Sequence, residues 1–142
     1  MGMTRFKELT DVQLLAVCLY GEARGESRNG KIAVASVIKE RVEKGGWYGD
    51  GYHGVILHPK QFSCLNTGDP NFPKLFDIAG DFNGYIRKDR VLYECFEIAR
   101  GIIHSEIMPT VAATHYKTIS CKASWADKMN KVAVCGNHEF YV

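Results

Sequence analysis

Two glutamates, Glu22 and Glu26, stand four residues apart in the run Leu19-Tyr20-Gly21-Glu22-Ala23-Arg24-Gly25-Glu26-Ser27, where an apolar helix is expected to run out into a glycine turn. A carboxylic acid at the end of a buried stripe loses the hydration of its charged form and can keep a proton near neutral pH, which is what a general acid must do. A second carboxylate one helical turn away would add like-charge repulsion and push one member of the pair further in that direction. Both residues also have ordinary readings. Glu22 can be a helix-end glutamate bonded to backbone or paired with Arg24, and Glu26 a solvated charge or the cap of the Ser27 to Gly30 turn.

Further polar aromatics lie toward the C-terminus. Thr114, His115 and Tyr116 fall in a β-branched and aromatic run, where strand alternation puts Thr114 and Tyr116 on one face and His115 on the other. Cys135 and His138 flank Gly136-Asn137 and would face each other across a two-residue hairpin, which permits a thiol–imidazole nucleophile, although no buried stripe or helix terminus activates Cys135. The chain has no H-E-x-x-H, no acidic calcium loop and no clustered Cys/His set. Its glycines at 45, 46, 49, 51 and 54 fit neither a P-loop nor a dinucleotide fingerprint, so no metal and no cofactor are expected. Trp47, Phe62 and Trp125 could stack on sugar rings, but at 11% aromatic residues most such rings belong to the core.

The elements that position these groups follow from caps and periodicity. Thr10 as N-cap, Gln13 at N3 and Leu9 stapled to Leu14 predict a helix start, and the ladder Leu14, Cys18, Glu22, beside Leu15 and Leu19, points Glu22 inward. Gly21 and Gly25 weaken that helix, and Asn29-Gly30 signals a turn. A second helix is predicted over 31–44 on the row Val34, Ile38 and Val42, with Lys39, Arg41 and Lys44 suited to its C-terminal dipole. A third runs from an Asp89 N-cap to His104. Residues 47–54 read as a loop, 66–87 as irregular with a short helix near Phe76, 110–118 as a strand, 124–130 as a short helical stretch and 132–142 as a hairpin. The expected fold is α+β: about three main helices with a small C-terminal antiparallel sheet.

Length and composition bound the rest. With 142 residues, 46% hydrophobic and 24% charged, the chain suits one soluble domain over 1–142 with a single core. A net charge of +2 is too mild to call for nucleic acid, and no stretch is long enough to span a bilayer, so neither nucleic acid binding nor membrane insertion is expected. The first residues show no apolar segment of a signal peptide. Five unclustered cysteines read as reduced thiols of a chain made in the cytoplasm, which would reach any external target by release or another export route.

Tyr20-Gly21-Glu22-Ala23-Arg24-Gly25-Glu26, then Gly30-Lys31-Ile32-Ala33-Val34-Ala35-Ser36-Val37-Ile38 and Arg41-Val42, closely resemble the opening motif of the SleB/CwlJ-type cell wall hydrolases. Gly54-Val55-Ile56 and Gln61-Phe62-Ser63 resemble the middle motif, and Ala113-Thr114-His115-Tyr116, Trp125-Ala126 and Gly136-Asn137-His138-Glu139-Phe140-Tyr141 the closing ones. The resemblance runs from about Leu14 to Tyr141. It departs at Glu40, where the family has asparagine before the arginine, and in 66–87, which matches no motif.

The resemblance implies a small lysozyme-like domain related to lytic transglycosylases, acting on peptidoglycan glycan strands between N-acetylmuramic acid and N-acetylglucosamine. A monomer is expected. It puts the catalytic acid on Glu22 and substrate-binding groups on Gln61, Phe62, Ser63, Thr114, His115 and Tyr116, with Glu26 as the second carboxylate if water is the acceptor. Attack by the muramic 6-hydroxyl, giving 1,6-anhydromuramic ends, is the favoured outcome. A muramidase using water and a catalytically silent glycan-binding or virion module are the alternatives. A phage endolysin or a spore-cortex enzyme is the implied setting.

Overall fold

The computed structural model describes residues 2–59 and 61–142. Its central element is α2 (Asp11–Ala23), preceded by the short α1 (Gly2–Lys7). Thr10 starts α2 with a full capping box, its Oγ accepting from Gln13 N at 3.1 Å while Gln13 Oε1 accepts from Thr10 N at 3.0 Å. Such a cap is worth about 1 kcal/mol. Every residue from Leu14 to Tyr20 is buried, so α2 is enclosed by its neighbours rather than lying on the surface.

Around it pack α3 (Arg28–Lys44), α4 (Gly51–Ile56), α5 (Phe72–Gly80) and α7 (Arg90–Ile103), with α6 (Phe82–Ile86) against α7. Gly21 does not weaken α2, which runs through it to Ala23. Its role is close approach: a Cβ there would lie 2.7 Å from both Cys64 Sγ and Leu75 Cδ1. Likewise α3 begins at Arg28, ahead of the expected 31, because Ser27 caps it through Gly30 N at 3.2 Å and takes Asn29-Gly30 into the first turn. Asp89 caps α7 as expected, accepting from Val91 N and Leu92 N at 3.1 Å each, while its other oxygen takes the Tyr20 hydroxyl at 2.8 Å.

The α+β class holds, but the expectation of about three main helices does not: among the described residues there are seven α-helices. The four additional ones are short, and burial explains them. In α5, Leu75 and Ile78 face the core, and Arg5 of α1 stacks 3.7 Å from the Phe76 ring while donating to Phe76 O at 3.1 Å. Asp81 then caps α6, which buries Phe82. In α4, His53 bonds to Leu9 O at 2.7 Å and Asp11 Oδ1 at 2.9 Å, tying the helix to the start of α2. Isolated helices this short are unstable in water, so their sequences carry little local signal.

Three antiparallel strands follow, β1 (His115–Thr118), β2 (Lys131–Cys135) and β3 (His138–Tyr141), in the order β1-β3-β2. The strand expected over 110–118 is confined to its second half because Thr110 N turns away to Ser36 Oγ at 3.0 Å on α3. The hairpin is as expected: Cys135 pairs with His138 across Gly136-Asn137, and Gly136 takes the positive φ of 58° that a two-residue turn requires. Register pairs His115 with Tyr141 and Tyr116 with Phe140, so Tyr116 faces the core with the buried Phe140.

Candidate active site

Glu22 lies on the last turn of α2, half-buried, one turn above the fully buried Cys18. The Tyr116 hydroxyl, presented by β1, donates a short hydrogen bond to Glu22 Oε1. Burial, then the neighbouring Glu22 charge, raises the Tyr116 phenol well above its ordinary value, so it stays a protonated donor. Cys18 and Cys64 stand close to the same carboxylate, and burial pushes both thiols up. They are neutral and add no competing charge. Arg24 does not pair with Glu22: it donates to Tyr20 O at 3.2 Å and to Asn71 Oδ1 at 2.6 Å.

Arg41 stands in the last turn of α3, as expected, but its side chain does more than meet the helix dipole. It is 7% exposed and turns inward from α3, donating through Nε to Thr114 O at 2.7 Å and through Nη1 to Gln61 Oε1 at 2.9 Å. Its guanidinium lies 5.7 Å from the Phe62 ring centre and 5.8 Å from that of Tyr48. Burial lowers its pKa, opposed by Tyr116, Tyr48, Cys18 and Glu22 around it. The signal was present in the sequence, since Val34, Ile38 and Arg41 follow the i, i+4, i+7 spacing of one helix face.

Glu26 sits in the corner between α2 and α3 and is committed to the hairpin turn. Its Oε1 accepts from Asn137 N and its Oε2 from Asn137 Nδ2, both at 3.0 Å, and its side chain is 9% exposed. Burial pushes its pKa up, but the two Asn137 donors, His138 and Lys31 outweigh that and hold it below the ordinary value. The expected like-charge elevation is therefore not what governs this carboxylate. Lys31, buried itself, fixes the same corner through Glu26 O and a 3.0 Å ion pair with Glu94.

Glu22 and Glu26 open together onto a cleft of about 560 Å³, further lined by Thr118, Ile119, Ser120, Asn137 and His138. Of the residues named from sequence, Gln61, Phe62, Thr114 and Tyr116 converge on Arg41 beside Glu22. Phe62 and Thr114 are buried, which makes them supports of Arg41 rather than surfaces of the cleft. Ser63 is exposed, and its neighbour Cys64 is the one turned toward Glu22. His115 pairs with Tyr141 on the other face of β1 and bonds to Thr114 Oγ1 at 2.9 Å. Thr118, Ser120 and Asn137 were not singled out from sequence. Only the fold brings them to the cleft.

His138 packs edge-on against Tyr116 at 5.3 Å, and its buried Nδ1, 3.7 Å from Glu26 Oε1, has no hydrogen-bond partner. No thiol–imidazole bond to Cys135 forms through that nitrogen. Among the described residues, no three of His, Cys, Asp and Glu group as metal ligands. No described helix is long and apolar enough to cross a membrane. The arrangement sets the Glu22 carboxyl at the cleft with a hydroxyl donor on one of its oxygens.

The fold is shared with proteins of known structure. The chain is similar in structure to the catalytic domain of the germination-specific lytic transglycosylase SleB from Bacillus anthracis (TM-score 0.63, 25% identity, 93% of each chain). It is likewise similar to the catalytic domain of Bacillus cereus SleB (TM-score 0.62, 25% identity, 93% of this chain and 89% of the other). In sequence it is 36% identical over 87 residues to a spore cortex-lytic enzyme of Oceanobacillus iheyensis, a match covering 58% of this chain and 31% of that protein. A Bacillus subtilis spore cortex-lytic enzyme is 33% identical over 87 residues, 28% of its length. The matched region thus spans about a third of these relatives. The model of the family described as Cell Wall Hydrolase matches residues 25–141, from just after Glu22 almost to the C-terminus. The chain belongs to that family, the SleB/CwlJ-type cell wall hydrolases.

Proposed function

We propose that the protein cleaves peptidoglycan glycan strands between N-acetylmuramic acid and N-acetylglucosamine as a lytic transglycosylase, with Glu22 as both acid and base. The observation that carries this reading is the Glu22 carboxyl itself, half-buried at a cleft and bonded through one oxygen to Tyr116. With Oε1 taken, the proton of neutral Glu22 sits on Oε2, from which it passes to the glycosidic oxygen as positive charge develops on the muramic ring. The resulting carboxylate is stabilised by the Tyr116 hydroxyl and the buried Arg41 charge. It then takes the proton of the muramic 6-hydroxyl as that oxygen attacks C1, closing the 1,6-anhydro ring and restoring neutral Glu22.

Glu26 supports this acceptor over water. It is the other carboxylate lining the cleft, but both its oxygens accept from Asn137 and its lowered pKa makes it a weak base. A muramidase reaction is the second reading, favoured by that same presence of Glu26 in the cleft. The protein works at the wall, after release or export from the cytoplasm. Mass spectrometry of digested peptidoglycan tests the proposal: anhydromuramic ends support it, reducing ends favour the muramidase, and freed peptides alone would overturn both.

A further inference from the structure

A chain of six aromatic rings, from the exposed Trp47 through half-buried rings to the buried Tyr141, runs beside the Glu22 site. Centre-to-centre distances are 5.9 Å from His58 to Trp47, 5.5 Å from Trp47 to Tyr48, 6.5 Å from Tyr48 to His115, 5.0 Å from His115 to Trp125 and 5.3 Å from Trp125 to Tyr141. It adjoins the catalytic groups through Arg41, which lies over Tyr48 and within the field of Glu22 and Tyr116. Nothing in the reaction at Glu22 uses these rings.

Three features separate the chain from ordinary core packing. Trp47 is 72% exposed, whereas Phe6, Phe62, Phe82 and Phe140 are buried. The loop that presents Trp47 is fixed by its backbone, with Gly45, Gly46, Gly49 and Gly51 all at positive φ and no room at Gly49 for a Cβ, which would lie 2.5 Å from Gly54 O. Finally, burial and the nearby Arg41 lower the His115 pKa, which favours the neutral ring.

We infer that this aromatic chain, centred on Trp47, Tyr48, His115 and Trp125, is an extended binding platform for the pyranose rings of a glycan strand, outside the bond-cleaving cleft. A pyranose offers an apolar C–H face that stacks on aromatic rings and a rim of hydroxyl and amide groups that needs polar partners. Both kinds of surface are present. Tyr141, edge-on to Trp125, lines a hollow of about 440 Å³ that also carries Lys117, Lys122, Ser124 and Asp127. The platform would hold a long strand while Glu22 acts on one bond, so short fragments should bind less tightly than long ones. This inference rests on the glycan-cleaving reading above.

The chain has two tryptophans, Trp47 and Trp125, and both lie in the platform, so intrinsic fluorescence reports on it directly. The test titrates the Glu22→Gln protein with soluble N-acetylglucosamine–N-acetylmuramic acid oligosaccharides of increasing length, following fluorescence and calorimetry together. Saturable fluorescence change with longer oligosaccharides is expected, and Trp47→Ala should weaken their binding by about 2- to 10-fold, the scale of one aromatic stacking contact. Trp125→Phe, which keeps a ring, should weaken it less than Trp125→Ala. Calorimetric binding with unchanged fluorescence, or with unchanged affinity in Trp47→Ala, overturns the platform, as does no binding at any length. Failure of the glycan-cleaving reading would show elsewhere, as a lack of glycan cleavage products from the unsubstituted protein.

Discussion

Replacing Glu26 by glutamine separates a structural carboxylate from a catalytic one. The native carboxylate accepts from Asn137 N and Asn137 Nδ2 at 3.0 Å each, joining the α2–α3 corner to the hairpin turn. Glutamine can satisfy one donor with its carbonyl but presents an NH₂ group to the other. One charge-assisted hydrogen bond is lost, worth about 1.5–3 kcal/mol. For a chain of this size that lowers Tm by roughly 3–12 °C. The loss depends on pH with a definite sign. Because Glu26 has a depressed pKa in the folded state, its contribution is present above the unfolded carboxyl's pKa and disappears as pH falls through the lower folded value. Thermal unfolding followed by circular dichroism should therefore show a large gap between Glu26→Gln and the unsubstituted protein at pH 7, closing as pH falls below the unfolded carboxyl's range. Below the melting range the variant should retain cleavage within about tenfold, since a missing general acid or base costs about 10²–10⁴-fold. A variant as stable as the unsubstituted protein at pH 7 would refute the clamp, and one that folds but loses activity a hundredfold would make Glu26 the catalytic carboxylate of a muramidase.

Two other substitutions probe the same site. Tyr116→Phe removes the hydroxyl bonded to Glu22 Oε1 and should lower kcat by about 10- to 150-fold, with far-UV circular dichroism unchanged; undiminished kcat would remove Tyr116 from the mechanism. Gly21→Ala places a Cβ 2.7 Å from Cys64 Sγ and Leu75 Cδ1 and should cost about 1–3 kcal/mol in urea unfolding, whereas a stability gain would mean that helix propensity outweighs the crowding.

What could be read from sequence divides along a physical line. The helix starts at Thr10 and Asp89 and the turn at Gly136-Asn137 are local: caps and turn residues act within a few positions, so their sequence signal is complete. The row Leu14, Cys18 and Glu22, which runs from the core to the cleft, likewise needed only one helix. The short helix expected near Phe76 is α5, but α4 and α6 exist because His53 and Phe82 find partners elsewhere, and no local pattern encodes those contacts. Glu26 is the extreme case. Its partner Asn137 is 111 residues away, so a carboxylate one turn beyond Glu22 looked like a repulsive neighbour until the hairpin folded against it. Gly21 misled for a related reason, since a glycine in a helix reads as a weak point when the chain that packs against it is unknown. Arg41 misled differently. Its place on the buried row of α3 was legible, but a charge at a helix end more often meets solvent than a site.

The central claim is that Glu22 alone carries out both proton transfers and that the muramic 6-hydroxyl is the acceptor. Its most direct test is mass spectrometry of purified peptidoglycan digested in ¹⁸O-labelled water by the unsubstituted protein and by Glu22→Gln. Anhydromuramic ends free of ¹⁸O from the first, and no glycan products from a folded second, are predicted. Reducing muramic ends carrying ¹⁸O, or undiminished cleavage by Glu22→Gln, would contradict it.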